Sequence, residues 1–321
     1  MKNKLPRLTC ANTVATVLLL AAVLKAETPN SSAQIPLSDS QQTADRLLAQ
    51  SLAQLASYDS VSAKISQRID LGGHELIGDG LYLQSVSGRD LLLRLELKVQ
   101  VGDQLCSSLQ VSDGRDLWIE EQRGTERTVK RIDVREVATA LRKVNPRLED
   151  LGGGRMPLGG LPEWLHALTV NFQFVYGGES ELEGVPVSTL VGTWRKDRLL
   201  VMLPKQQEQI EAGQAADLSQ MPAHVPHQVV LLLGSDDYFP YLIDYCRYQP
   251  ATVTSAPQPR SILRVQIYEV RIGAPIDLRQ FVYQPGQVDV SDATQPIAKS
   301  IGRRGARQAA AMKAVGALPQ E

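Results

Sequence analysis

Residues Leu91–Val101 read Leu-Leu-Leu-Arg-Leu-Glu-Leu-Lys-Val-Gln-Val. Leu91, Leu93, Leu95, Leu97, Val99 and Val101 occupy every odd position, and Arg94, Glu96, Lys98 and Gln100 the even positions after Leu92. A period of two places these sets on opposite faces of a β-strand, one dry and one wet. At about 3.4 Å per residue the stretch runs about 37 Å, well beyond a common strand of about 5–6 residues. A strand of this kind belongs in an antiparallel sheet with one face open to water. The fold is decided by what covers the other face.

Working outward, the flanking segments read as more sheet. Val61–Ile69 alternates, Leu71-Gly-Gly-His74 turns, and Glu75–Val86 returns. Ser87–Asp90 turns into the central strand, and Gly102-Asp103 turns out of it into Leu105–Val111. Asp113-Gly114 is a hairpin signal, followed by Arg115–Glu121 and Thr125–Ile132. Six antiparallel strands with short connections result.

Two amphipathic helices bracket this meander. The first begins at Ser38, with Gln41 in capping-box spacing, and Ala44, Leu47, Leu48, Leu52, Leu55 and Ala56 form one stripe ending near Ser57. The second follows Asp133 and Glu136, with Val134, Val137, Ala138, Leu141 and Val144 as its stripe, and stops at Asn145-Pro146. Glycines 152–154 and 159–160 make a flexible stretch, and Pro162–Leu168 a short helix carrying Trp164. Strands resume at Val170–Tyr176, with Phe172 and Phe174 on one face, and at Val185–Arg195. Residues 204–225 read as loop or weak helix. Val225–Leu233, Phe239–Tyr248, Ser261–Ile272 and Leu278–Tyr283 complete about six further strands. The apolar phase of Ser261–Ile272 changes between Ile267 and Tyr268, which predicts a bulge.

The ends stand apart from this domain. Lys2, Lys4 and Arg7 precede the apolar run Val14–Leu24, which has signal-peptide length and is short for a span of about 20 residues. Residues 1–26 are therefore a signal peptide or an uncleaved anchor, and 27–37 a polar leader. One domain covers 38–290, and 291–321 is a loosely ordered, mildly basic tail. Of the chain's 34 basic residues four lie in 1–26, leaving 30 against 35 acidic ones. That balance excludes general attraction to nucleic acid. Export leaves Cys106 and Cys246 in an oxidising compartment, where they could pair or stay as thiols on the polar side of their strands.

Catalytic chemistry finds little support. His224 and His227 stand among prolines that exclude a helical metal site, and His74 and His166 have no companions. The glycines lack a following Lys-Ser/Thr, and no nucleophile elbow is present. Asp236-Asp237 reads as a turn, and Trp118, Trp164 and Trp194 as packing residues. No cofactor, no metal and no enzyme activity are expected.

The order of elements resembles the bacterial lipoprotein-carrier (LolA/LolB-like) superfamily over about Gln41–Thr294. The resemblance is carried by Tyr58-Asp-Ser-Val61, Gly80-Leu-Tyr-Leu83, Val111-Ser-Asp-Gly-Arg-Asp-Leu-Trp118, Phe239-Pro-Tyr-Leu-Ile-Asp-Tyr245 and Leu278-Arg-Gln-Phe281. It implies an α+β fold in which a strongly curved antiparallel sheet forms an incomplete β-barrel around a few helices. It also implies a non-enzymatic protein that holds a lipid or the acyl chain of a lipoprotein. With the N-terminal segment read above, an exported monomer is expected, with a membrane-associated protein to load or receive the ligand. The expected cavity wall is Leu48, Leu52, Leu55, Leu93, Leu95, Leu97, Val99, Phe172 and Phe174, with 133–168 as a lid. An envelope scaffold with a filled core is the alternative.

Overall fold

The alternation of residues 91–101 is realised in strand β3 (Asp90–Val101), whose Leu93, Leu95, Leu97 and Val99 are buried. The structure, a computed structural model, describes residues 39–71, 74–88, 90–144, 160–249 and 258–300. The apolar N-terminal run, the leader, Gly152–Gly154, Gly159 and the tail residues Arg303, Arg304, Arg307 and Lys313 lie outside them.

Helix α1 (Asp39–Ser57) leads into β1 (Ser60–Leu71), β2 (His74–Ser87), β3, β4 (Gln104–Ser112), β5 (Asp116–Arg123) and β6 (Glu126–Asp133). Helices α2 (Val134–Val144) and α3 (Gly160–Asn171) follow, then β7 (Phe172–Leu182) and β8 (Val185–Trp194). The short helices α4 (Lys196–Met202) and α5 (Gln207–Glu211) precede β9 (Gln228–Gly234), β10 (Pro240–Tyr248), β11 (Pro259–Ile272) and β12 (Val290–Asp292). All strands join one 12-stranded sheet in the order β12-β6-β5-β4-β3-β2-β1-β11-β10-β9-β8-β7. The fold is α+β and the sheet antiparallel, except that β12 pairs parallel with β6. The β1–β11 pairing joins the N-terminal meander to the second half of the sheet.

Turns fix the register and the register fixes the faces. Across β3, Leu97 faces Gly80 on β2 and Ser108 on β4, and Val99 faces Gly78 and Cys106. A Cβ at Gly80 would stand 2.3 Å from the Glu96 carbonyl oxygen, and one at Gly78 2.4 Å from that of Lys98. The β3 backbone comes too close there for any side chain, so glycine is required.

The face bearing Leu93–Val99, here the inner face, is covered by α1 and α3, which pack on each other and along β7. One core cluster runs from Cys106 on β4, through β3, β1 and β11, to Phe172 and Phe174 on β7. Leu203, Ile210 and Met221, from the stretch between β8 and β9, belong to it as well.

Several expectations change. Leu278–Phe281 is a 3-10 turn rather than a strand. It belongs to a strap across the outer face, where Phe281 is buried against Leu83 and Leu92 and Arg94 donates to the Gln280 carbonyl at 3.2 Å. Arg94 and Glu96, expected to be solvated, are thus three-quarters covered. Residues 290–300, the described part of the expected tail, are anchored: β12 pairs with β6, and helix α6 (residues 294–300) sets Ile297 beside Val134, Val137, Leu117 and Ile132. Strand β4 reverses its expected phase, with Leu105 half exposed and Cys106 and Ser108 buried. No disulfide joins Cys106 and Cys246; both are buried thiols, on strands five places apart in the sheet.

Candidate functional site

Four levels of the inner face can be traced across the strands. One runs Val265, Gln67, Gly78, Val99, Cys106, Arg123 from β11 to β5. The next runs Ile267, Ile65, Gly80, Leu97, Ser108, Glu121. A third has Ala63, Tyr82, Leu95, Gln110 and Ile119, and a fourth Val61, Gln84, Leu93, Ser112 and Leu117. At each level the face is mainly apolar on β1–β3, small or polar on β4, and in the first two levels charged on β5. The Arg123 guanidinium stands 3.6 Å from the Glu121 carboxylate there.

The structure brings the expected wall residues together. Leu48 and Leu55 of α1, Leu93, Leu95, Leu97 and Val99 of β3, and Phe172 and Phe174 of β7 all belong to the one core cluster, and Leu52 packs partly buried against it. The four β3 residues are only 1–4% exposed. Their surfaces are in contact with other protein atoms, so they line a packed interior in this conformation.

A short polar chain ties the helices to the sheet. The Tyr82 hydroxyl donates to Gln84 Oε1 at 2.6 Å, and Gln84 Nε2 donates to the Leu55 carbonyl at 3.3 Å. At the start of α3, the Leu161 amide donates to the Tyr82 hydroxyl at 3.4 Å. Gly160, with φ +74°, lies so close that a Cβ there would meet Leu93 Cδ1 at 2.9 Å. Mid-helix, Trp164 Nε1 donates to the Tyr245 hydroxyl at 2.7 Å. Burial pushes both tyrosine hydroxyls well above their usual pKa, so they stay protonated.

Besides Arg94 Nε, Asn171 Oδ1 and His227 Nε2, two polar atoms on the inner stripes of α1 and β1, Ser51 Oγ and Gln67 Nε2, are buried without a hydrogen-bond partner among the described residues. Ser51 is fully buried on the α1 stripe between Leu48 and Leu55, and Gln67 is 3% exposed on β1 between Ile65 and Ile69. An unmet buried donor costs about 1–3 kcal/mol. The sequence carried the signal for both. Gln67 occupies an apolar phase position of its strand, and Ser51 an apolar position of its helix.

The other polar candidates have structural employment. His227 Nδ1 accepts the Tyr248 amide at 3.1 Å, and burial followed by the Arg247 charge lowers its pKa. Asp237 accepts the Phe239 amide and the Tyr241 hydroxyl. Trp194 Nε1 donates to the Pro226 carbonyl, and Trp118 stacks on Tyr283. Buried Asp244 accepts Ser261 Oγ at 2.6 Å and both Arg264 Nε and Nη2. Among the described residues no group of three or more His, Cys, Asp or Glu side chains could hold a metal ion. No described helix is long and apolar enough to cross a membrane.

No family model matches the chain, and no curated protein matches it. Solved structures are similar in fold. A DUF1329 family protein from Desulfovibrio piger aligns at 12% identity and TM-score 0.33, covering 77% of this chain and 98% of its own. MucB, solved also as a Pseudomonas aeruginosa MucA/MucB complex, aligns at 15% identity and TM-score 0.38, over 76% of this chain and 64% of its own. The Mycobacterium tuberculosis lipoprotein LppX aligns at 11% identity and TM-score 0.29, over 75% and 100%. At such TM-scores the likeness is loose, and the functional reading rests on this chain's own residues.

Proposed function

We propose that this chain is a non-enzymatic binding protein of the cell envelope that takes a lipid or lipoprotein acyl chain against the inner face of its sheet. The observation that carries this reading is the pair of unmet polar groups, Ser51 Oγ and Gln67 Nε2, set within an apolar face. A face built for stability alone would use apolar side chains there or supply partners. An acyl chain lying on Leu93–Val99 would gain about 0.8 kcal/mol per buried methylene.

The reading has the sheet bending around α3, and two lengths support it. The 12 residues of α3 span about 18 Å. They run from contact with Tyr82 and Leu93 on β2 and β3 to Phe172 at the start of β7. On a flat sheet β2 and β7, six spacings apart, would be about 29 Å apart. In this reading α3 rests where the chain would lie and moves aside to admit it. The long Tyr82–Leu161 contact is the first to release.

A second reading, an envelope scaffold with a permanently filled core, is favoured by the 1–4% exposure of the β3 wall. Native mass spectrometry of protein purified from the envelope separates the two. The carrier reading expects copurified lipid that delipidation removes and an apolar dye replaces. Absence of both lipid and dye binding leaves the scaffold.

A further inference from the structure

The wall of the inner face is apolar, yet at one point it presents an amide. Gln67 lies flat over Gly78: a Cβ on that glycine would meet Gln67 Nε2 at 2.6 Å and Cγ at 2.7 Å. The missing side chain of Gly78 is therefore the space that holds the glutamine side chain. At the same level stand Val265 on one side and Val99 beyond Gly78 on the other, both 2% exposed or less. Ile65 and Ile69 flank it along β1. Nε2 has no acceptor among the described residues.

We infer that Gln67 is the group that receives the neutral acyl carbonyl of the ligand, its Nε2–H donating to an ester or amide carbonyl oxygen while the hydrocarbon lies along Leu93–Val99. The inference rests on the carrier reading above. The chemistry of the position selects the ligand class. A pure hydrocarbon leaves the donor unmet. A carboxylate would bring a charge into an apolar setting, with the inner-face cation Arg123 four strands from Gln67 and already beside Glu121. A neutral carbonyl matches a neutral N–H and brings no charge. The glycine at 78 is part of the same device, because any larger residue would displace the amide from the wall.

The test uses the mature full-length protein, delipidated, with displacement of the apolar dye N-phenylnaphthylamine by methyl palmitate, hexadecane and sodium palmitate. The wild type is expected to bind the methyl ester about tenfold more tightly than hexadecane, the gain from one added hydrogen bond. Gln67→Leu should bring that ratio to about one. Should Gln67→Leu fail to fold, Gln67→Met, unbranched and of similar length, replaces it in the same ratio measurement. An ester preference that persists in the variant overturns the assignment of Gln67 and leaves the carrier reading standing. A wild-type preference for the palmitate anion over the ester overturns the ligand class. If the wild type takes up neither dye nor any of the three ligands, the carrier reading falls and this inference with it.

Discussion

Tyr283 stacks on Trp118 with ring centroids 5.3 Å apart and planes tilted by 31°, and its hydroxyl donates to Glu120 at 2.6 Å. Trp118 belongs to a strand in the meander and Tyr283 to a segment more than 150 residues later, so the contact binds the C-terminal part of the chain over the outer face of the sheet. Phe281, 1% exposed against Leu83 and Leu92, is the apolar anchor of the same strap. Phe281→Ala should destabilise the protein by about 3–5 kcal/mol, measured by urea unfolding. An effect below 1 kcal/mol would mean that the strap is held elsewhere.

The same contact predicts a pH dependence. Burial first, and then the Glu120 carboxylate, push the Tyr283 hydroxyl up to about 12 from an ordinary 10.0. The folded state thus holds this proton more tightly than the unfolded chain. The contribution is fully present below pH 10 and is lost as pH rises toward 12. Glu120 behaves oppositely, since the Arg127 guanidinium and then the Tyr283 hydroxyl hold it below its ordinary 4.5. Its contribution is present above that value and is lost as pH falls below it. Tyr283→Phe should flatten part of the alkaline decline in thermal midpoint, and Glu120→Gln part of the acid one.

The central strand was legible because its alternation is long and its partners on both sides are fixed by tight turns. The same turns explain why β4 was not. Gln104 and Val101 pair across the two-residue turn, which forces Cys106 opposite Val99 and Ser108 opposite Leu97 whatever their polarity. Leu105 is left half exposed as a consequence. The phase change in β11 was readable: the β1–β11 register shifts between Ser62 and Lys64, and Glu269 takes a φ of 49° beside it. The strap was not readable, because Phe281 and Tyr283 alternate as a strand would, while only tertiary packing on Leu83, Leu92 and Trp118 decides the path of the segment. Of the candidate site, the apolar stripe was visible in β3 and α1. Its polar exceptions, Ser51 and Gln67, were equally visible but carry meaning only once their faces are known to be covered.

Burial makes both core cysteines unreactive. Burial, followed by the neighbouring Asp244 carboxylate, pushes the Cys246 thiol up to about 12, so almost no thiolate exists near neutral pH. Cys106 is 2% exposed. In a Cys10→Ser protein, Ellman's reagent at pH 7.5 should find essentially no reactive thiol before unfolding and two after it, without added reductant. Two thiols appearing only after reduction would establish the disulfide that the strand positions oppose.

Asp244 is a buried carboxylate whose Arg264 partner is half exposed, so the pair is screened on one side only. Removing Arg264 leaves the carboxylate buried with the Ser261 hydroxyl and the Cys246 thiol but no cation. Arg264→Ala should therefore cost about 1–3 kcal/mol, and Asp244→Asn, which removes the charge but keeps an acceptor, less. If the two substitutions cost the same in urea unfolding, the charge on Asp244 is not what the contact serves.

Leu95 separates packing from binding at the centre of the inner face. It is 4% exposed and faces Tyr82 and Gln110 across the flanking strands. In the ligand-free protein Leu95→Ala removes buried methyl groups from a packed interior and should cost about 2–5 kcal/mol. The space it opens borders the surface on which the acyl chain is proposed to lie. Hexadecane should then raise the thermal midpoint of the variant more than that of the wild type, because the ligand fills a void in one and must displace α3 in the other. Equal shifts in both proteins would place the hydrocarbon away from β3. No shift in either, together with the full loss of stability, is the signature of a core that serves the fold alone.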